Sequence, residues 1–207
     1  MSLAIVYTRA ALGIEAPLIT VEVHLSNGLP GLTMVGLPET TVKEARDRVR
    51  SALINSGYAF PAKKITINLA PADLPKEGGR YDPPIALALL VASEQLNTTR
   101  LNQYEFVGEL ALTGGLRGVP GAIPSAMEAI KAGRRIVVSS DNAAEVGLIG
   151  GSDCLVADHL QEFCAFLAGQ TSLSPPLAEA PARDERYEDL LDVIGQQQGK
   201  RALEIVA

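Results

Sequence analysis

GLPETTVKEARDRVRSALINSGYAFPAKKITINLAPADLPKEGGRYDPPIALALL, residues 36–90, decides the fold of this chain, because it holds a helix, a strand, a glycine-rich loop and a second helix in immediate succession. Pro38 opens the first helix, with Glu39 in the first turn where an acid favours the helix dipole. Val42, Ala45, Val49, Ala52 and Leu53 recur at helical spacing and predict a buried stripe, which Gly57 ends. Residues 64–70 then alternate, with Ile65, Ile67 and Leu69 on one face, as a half-buried strand requires. The loop PADLPKEGGR follows, with two prolines and a glycine pair. Pro83 and Pro84 fit the first turn of the next helix, which is predicted to continue through IALALLVASEQL.

Outward from this segment the same alternation of elements continues. Residues 4–8 and 19–25 read as strands, the second with Ile19, Val21, Val23 and Leu25 opposite Thr20, Glu22 and His24. Asn27–Gly28 signals a turn from that strand into LTMVG. Residues 106–112 and 116–119 predict a hairpin around Gly114–Gly115. A helix from about residue 123 to 132 then ends at Gly133, and a buried strand covers 136–140. Asp141 is expected to cap a short helix, and Asp158 a longer one ending near Gly169, with a strand at 155–157 between them. Residues 170–186, QTSLSPPLAEAPARDER, read as a linker, and 187–207 regain helical periodicity. That periodicity runs to the last residue, so the expectation is a chain cut before a second domain is complete.

Of the 207 residues 47% are apolar, enough for one large core or two small ones. The net charge of −6 is unevenly spread: residues 1–100 carry ten Lys/Arg and nine Asp/Glu, residues 101–207 eight and fifteen. The front half can therefore still hold a basic face. Cys154 and Cys164 make no disulfide framework, which points to a reducing compartment. The N-terminus lacks a charged leader, and no apolar stretch is long enough to span a bilayer. The expected location is cytoplasmic.

The run VKEARDRVRSAL…ITINLAPADLPKEGG, together with the tail DLLDVIGQQQGKRALEIVA, strongly resembles the ComM/YifB family, the bacterial Mg-chelatase-like members of the AAA+ ATPases. The resemblance covers essentially the whole chain. It implies an α/β (α+β) N-terminal domain of the Lon-protease-like, ribosomal S5 domain 2-like fold over residues 1–169. A linker over 170–186 would follow, then the first helical segment of a AAA+ domain over 187–207, truncated before its phosphate loop. It also implies that the full-length protein is a hexameric, ATP- and Mg²⁺-using DNA helicase that promotes branch migration in natural transformation. The fragment would carry no cofactor of its own. Pro83 departs from the leucine expected before Pro84-Ile85-Ala86-Leu87, and is tolerable only at a helix start.

A Lon-like fold raises the question of a serine–lysine protease. Matching the loops puts Pro84 at the serine position and Pro124 at the lysine position; sliding by one brings in Ile85 or Ser125 and still gives no dyad. Proteolysis is therefore not expected. Gly195-Gln-Gln-Gln-Gly199-Lys200-Arg201 has three residues between its glycines and lacks the Ser/Thr of a Walker A loop, so it reads as helix. The resemblance implies that Val193, Ile194, Gly195 and Gln196 lie on the adenine side of the nucleotide in the complete motor. Cys154, His159 and Cys164 lack a fourth donor and the paired short spacing of a zinc site.

The cations give a stronger signal. Lys43, Arg46 and Arg50 share one side of the first helix, Lys63 and Lys64 precede the next strand, and Lys76 and Arg80 sit in the glycine-rich loop. Together they predict a non-specific, salt-dependent phosphate surface for DNA, with no interleaved aromatics to support base stacking. Three readings follow. One is a non-catalytic accessory domain of a DNA-remodelling motor, another a structural or partner-docking module without DNA contact, and the third a part of a magnesium–porphyrin chelatase.

Overall fold

A computed structural model of the chain describes residues 2–36, 42, 44–149, 152–176 and 192–206. Among the described residues nine strands form a seven-stranded mixed sheet and a two-stranded ribbon. The large sheet contains β1 (Ser2–Arg9), β2 (Leu18–Ser26), β3 (Gly31–Val35), β4 (Lys64–Ala70), β5 (Tyr104–Phe106), β8 (Arg135–Ser139) and β9 (Cys154–Ala157), in the order β3-β4-β2-β1-β5-β8-β9. The ribbon pairs β6 (Glu109–Leu110) with β7 (Leu116–Arg117). The helices are α1 (Ala45–Asn55), α2 (Asp82–Ala92), α3 (Ala122–Lys131), α4 (Ala143–Gly147), α5 (Leu160–Leu167) and α6 (Gln197–Val206). The mixed α/β class is the one the alternation of periods predicts.

The sheet has two halves of different character. β2 runs antiparallel to both β1 and β4, and it alternates perfectly between buried and half-buried residues. β5, β8 and β9 are parallel, and β8 is buried on both sides: Val137 faces one core, Ile136 and Val138 the other. A parallel strand covered by helices on both faces needs this continuous apolar run, whereas an antiparallel sheet can leave one face wet. Leu3 (62% exposed) and Ile5 lie on that open face, with His24 half-buried beside them. The halves meet at β1 and β5, which pair in register only at Tyr7 and Glu105.

Helix α2 is apolar all round and almost wholly buried against β1 and β2, as an interior helix must be. It ends at Ala92, four residues earlier than its pattern suggests, and Glu94 takes a left-handed φ of 61°. The predicted stripe of α1 is buried throughout, from Val42 to Leu53. The start predicted at Pro38 and Glu39 lies outside the described residues.

Several local expectations are corrected. Asn27–Gly28 does not close a hairpin, because β4 inserts between β2 and β3 and pairs with both. The strand predicted over 106–112 is split. Residues up to Phe106 join the large sheet, and Glu109–Leu110 turns away into the ribbon. Asp141 and Asp158 are not the caps. Ser139 accepts from Asp141 N before the turn into α4, and His159 caps α5 through Nδ1 from Gln161 N at 3.2 Å. Asp141 instead accepts from Gly118 N at 2.9 Å, and Asp158 from the Ser140 hydroxyl. The first residues of the predicted linker lie on the sheet. Leu173 packs on the core, and Ser174 O accepts from Val156 N of the outer strand β9.

Candidate functional site

The glycine-rich loop and the helix start after it come first. Pro83 and Pro84 sit in the first turn of α2, where missing N–H groups cost nothing, so Pro83 is accommodated. Pro124 lies in the first turn of α3. Ser125 beside it is buried, and its Oγ donates to Gly121 O at 2.8 Å. Ile85 belongs to the core. The two positions matched to a serine–lysine dyad therefore present a buried ring at Pro84 and a half-buried one at Pro124, and the adjacent Ser125 hydroxyl is bonded to the N-cap residue of its own helix.

Two of the predicted phosphate contacts are corrected here. Lys76 is fully buried, and its Nζ donates to Pro71 O and Leu74 O, folding the loop on itself. Burial pulls its pKa down, against a smaller upward pull from Asp73. Arg80 is also buried and donates to Arg9 O at 3.2 Å and to Pro120 O; burial lowers its pKa too. Both cations donate to backbone carbonyls within and behind the loop, and their side chains are buried rather than offered at the surface.

Behind the loop, Asp82 opens α2 fully buried. It accepts from Arg48 Nε at 2.7 Å and Nη2 at 3.1 Å, and from Leu110 N at 3.3 Å. Burial pushes its pKa up to about 6, although Arg48 and Leu110 N both pull it down. This bidentate pair braces α1 against α2.

The remaining cations collect on the outer side of α1. A cleft of about 240 Å³ lies between α1 and the approach to β4, and Arg46, Arg50 and Lys63 line it above an apolar floor that includes Leu32 and Ile65. Lys64 is exposed at the adjoining start of β4. Lys43 lies outside the described residues. Among the described residues, none of Arg46, Arg50, Lys63 and Lys64 is in an ion pair, whereas Arg117, Lys131 and Arg135 each face a carboxylate. The reason is local: Glu44 turns toward Arg48 at 4.0 Å, and Arg48 itself is committed to Asp82. Among the described residues, three cations without an ion pair line this concavity and a fourth adjoins it, which focuses positive potential there despite the negative net charge.

Sequence spacing misses one member of this cleft. Phe60 lines it, and the Arg50 guanidinium lies 5.0 Å from its ring centroid. The expectation that no aromatic accompanies the cations is therefore corrected. Phe60 stands ten residues beyond Arg50, in the irregular segment GYAFPAKK, where no periodicity reports which way a ring points.

Other candidate chemistry separates in space. Cys154 and Cys164 are buried free thiols, and burial pushes Cys164 up to about 11. No group of three His, Cys, Asp or Glu side chains among the described residues could hold a metal ion. No helix among them is long and apolar enough to cross a membrane. In the tail, Gly199 and Lys200 lie inside α6 and form no phosphate loop. Val193 and Ile194 precede it, exposed, as are Leu203 and Ile205 within it. Leu190 lies outside the described residues.

Residues 21–142 match the family described as subunit ChlI of Mg-chelatase. Over the whole chain the sequence is 74% identical to the uncharacterized protein YifB of Salmonella typhimurium, covering 41% of that protein. It is 55% identical to competence protein ComM of Haemophilus influenzae, covering all of this chain and 42% of the relative. An uncharacterized protein of Mycobacterium tuberculosis is 36% identical over 41% of its length. The chain thus spans about two-fifths of the length of these curated relatives.

Proposed function

Because the chain belongs to the ChlI-subunit family of Mg-chelatase, a family of AAA+ ATPases, and within it to the ComM/YifB type, we propose that it is a DNA-facing accessory domain of an ATP-driven ring. The observation that supports this reading is that Arg46, Arg50 and Lys63 line one cleft with Lys64 exposed beside it, none of the four in an ion pair among the described residues. Backbone phosphates neutralise such cations without demanding sequence. In this reading residues 1–169 are the accessory domain, 170–186 the connection, and 187–207 the first part of the motor. The full-length protein is a hexamer that moves branched DNA. ATP and Mg²⁺ belong to the motor, with Val193 to Gln196 on the adenine side. The described residues supply no loop for the phosphates, so no nucleotide chemistry is assigned to them.

The test is fluorescence anisotropy of the 207-residue chain with forked and single-stranded DNA across a salt series. Four phosphate contacts give a log–log slope of roughly −3 on a single strand. Arg46→Glu combined with Arg50→Glu is expected to weaken binding at least about tenfold at low salt, since two contacts become repulsive. Binding of the doubly reversed variant equal to that of the parent would remove DNA from this surface. The second reading, a docking module without DNA contact, is favoured by the open sheet face that exposes Leu3 and Ile5. It predicts that the same reversal leaves DNA behaviour unchanged and disturbs assembly.

A further inference from the structure

We infer that the α1 cleft seats a single unstacked nucleotide of a DNA strand, with its phosphate between Arg46 and Lys63 and its base against the Arg50–Phe60 pair. This deepens the DNA reading and rests on it. Phosphate attraction alone recognises a backbone, single or double, and does not call for an exposed base. The cleft adds three features that do.

The first is size. At about 240 Å³ the concavity falls below the range that accommodates drug-sized ligands, and it suits one base and its sugar. A duplex offers its bases only as paired edges within grooves, stacked on their neighbours. An inward cleft can take a base only when the strand is open.

The second is the composition of the wall. Leu32, Pro61 and Ile65 give the cleft an apolar lining at its base, while the cations stand at its rim. A surface built for backbone contact alone needs no such floor. A base, with its weakly hydrated face, does.

The third is the Arg50–Phe60 pair. The guanidinium lies over the ring, 5.0 Å from its centroid; it is planar and weakly hydrated, and presents a flat cationic surface backed by an aromatic one. Every base has a π-face, so a stack on this pair accepts any sequence. Phe60 is partly buried and packs on the core, which holds the platform in place before the strand arrives. Arg46 and Lys63, in no ion pair among the described residues, then flank the phosphate position from α1 and from the segment leading into β4.

The experiment compares three fluorescent probes of one length at matched salt: oligo(dT), the same strand with abasic sugars, and a duplex. Oligo(dT) is expected to bind about tenfold more tightly than the abasic strand, toward the low end of base–aromatic stacking. The duplex is expected to track the abasic strand. Arg50→Lys keeps the charge and the exposed helix position but loses the planar surface, and is expected to bring oligo(dT) down to the abasic level. Phe60→Leu, checked for an unchanged thermal melt, is expected to do the same, and the readout for both variants is the ratio of oligo(dT) to abasic affinity. Equal binding of oligo(dT) and abasic strand, still abolished by the Arg46/Arg50 reversal, would overturn the nucleotide seat and leave the DNA reading intact. No binding of any probe at low salt would overturn both. Displacement of oligo(dT) by polyglutamate as readily as by unlabelled oligo(dT) would replace the nucleotide with an acidic peptide, and would likewise overturn the inference.

Discussion

Glu105→Gln is expected to destabilise the domain by about 3–5 kcal/mol, the cost of stranding a buried charge after its partner is removed. Glu105 is completely buried and receives Arg9 Nε at 2.6 Å, Arg9 Nη2 at 2.7 Å and Arg134 Nε at 2.8 Å. Arg9 is itself buried and also donates to Ala16 O and Glu128 O, so its guanidinium is held by four hydrogen bonds to three residues. Glutamine would keep one acceptor and turn two donors toward two guanidinium groups. Arg134, whose side chain is 19% exposed and lies over the Tyr7 ring, can turn toward water. Arg9 cannot.

The position of this triad explains why the effect should be global. Glu105 is the residue of β5 that pairs with Tyr7 of β1, at the seam where the antiparallel half of the sheet meets the parallel half. That seam has little ladder of its own, while β1 and β2 pair along eight residues. The ion cluster joins the end of β1, the C-terminal turn of α3 through Glu128 O, and the segment entering β8. Urea unfolding should show the midpoint of Glu105→Gln falling with an unchanged slope. Arg9→Met combined with Glu105→Leu, which removes both desolvated charges, should recover most of the loss. A loss below about 1 kcal/mol for Glu105→Gln would show that the halves are held by apolar packing alone.

Much of this architecture is legible in the chain because its apolar periods are clean. The 2-residue period of β2 and β4 and the stripe from Val42 to Leu53 map directly onto buried faces. The all-apolar run after Pro84 identifies an interior helix. What periodicity cannot supply is the direction of a side chain in irregular backbone. Lys76, Arg80, Phe60 and Lys63 all lie in loops. Two of the four fold inward to satisfy carbonyls, and two line the cleft. Strand order is hidden for the same reason: nothing within residues 19–36 reports that β4, about thirty residues later, will separate β2 from β3. Caps fail more subtly. Ser139, His159, Asp141 and Asp158 are all competent, and tertiary partners such as Gly118 N decide which of them caps.

Asp82→Asn is expected to abolish a fall in stability, on the order of 3 kcal/mol, that the parent chain undergoes between about pH 4 and pH 6. The sign follows from the burial of the carboxyl. Folded, Asp82 titrates at about 6; unfolded, it returns to its ordinary value near 3.8. Between these values the folded state holds a proton that the unfolded state has released. Raising the pH through this window therefore favours unfolding, and above about 6 the contribution is flat. Paired surface carboxylates act in the opposite sense. Glu128, lowered by its hydrogen bond to Lys131, contributes stability that is lost as the pH falls. The parent curve alone therefore mixes both signs, and the informative quantity is the difference between parent and Asp82→Asn in urea stability at pH 4, 5, 6 and 7. That difference should move toward the variant by about 3 kcal/mol across the series and then level off. A difference that moves the other way would mean that the bidentate bond from Arg48 outweighs desolvation and that the ion pair is the stable form at all pH values. Either result bears on the cleft. Arg48 lies on α1 between Arg46 and Arg50, and the same bond that holds it to α2 keeps it out of the cleft that they line.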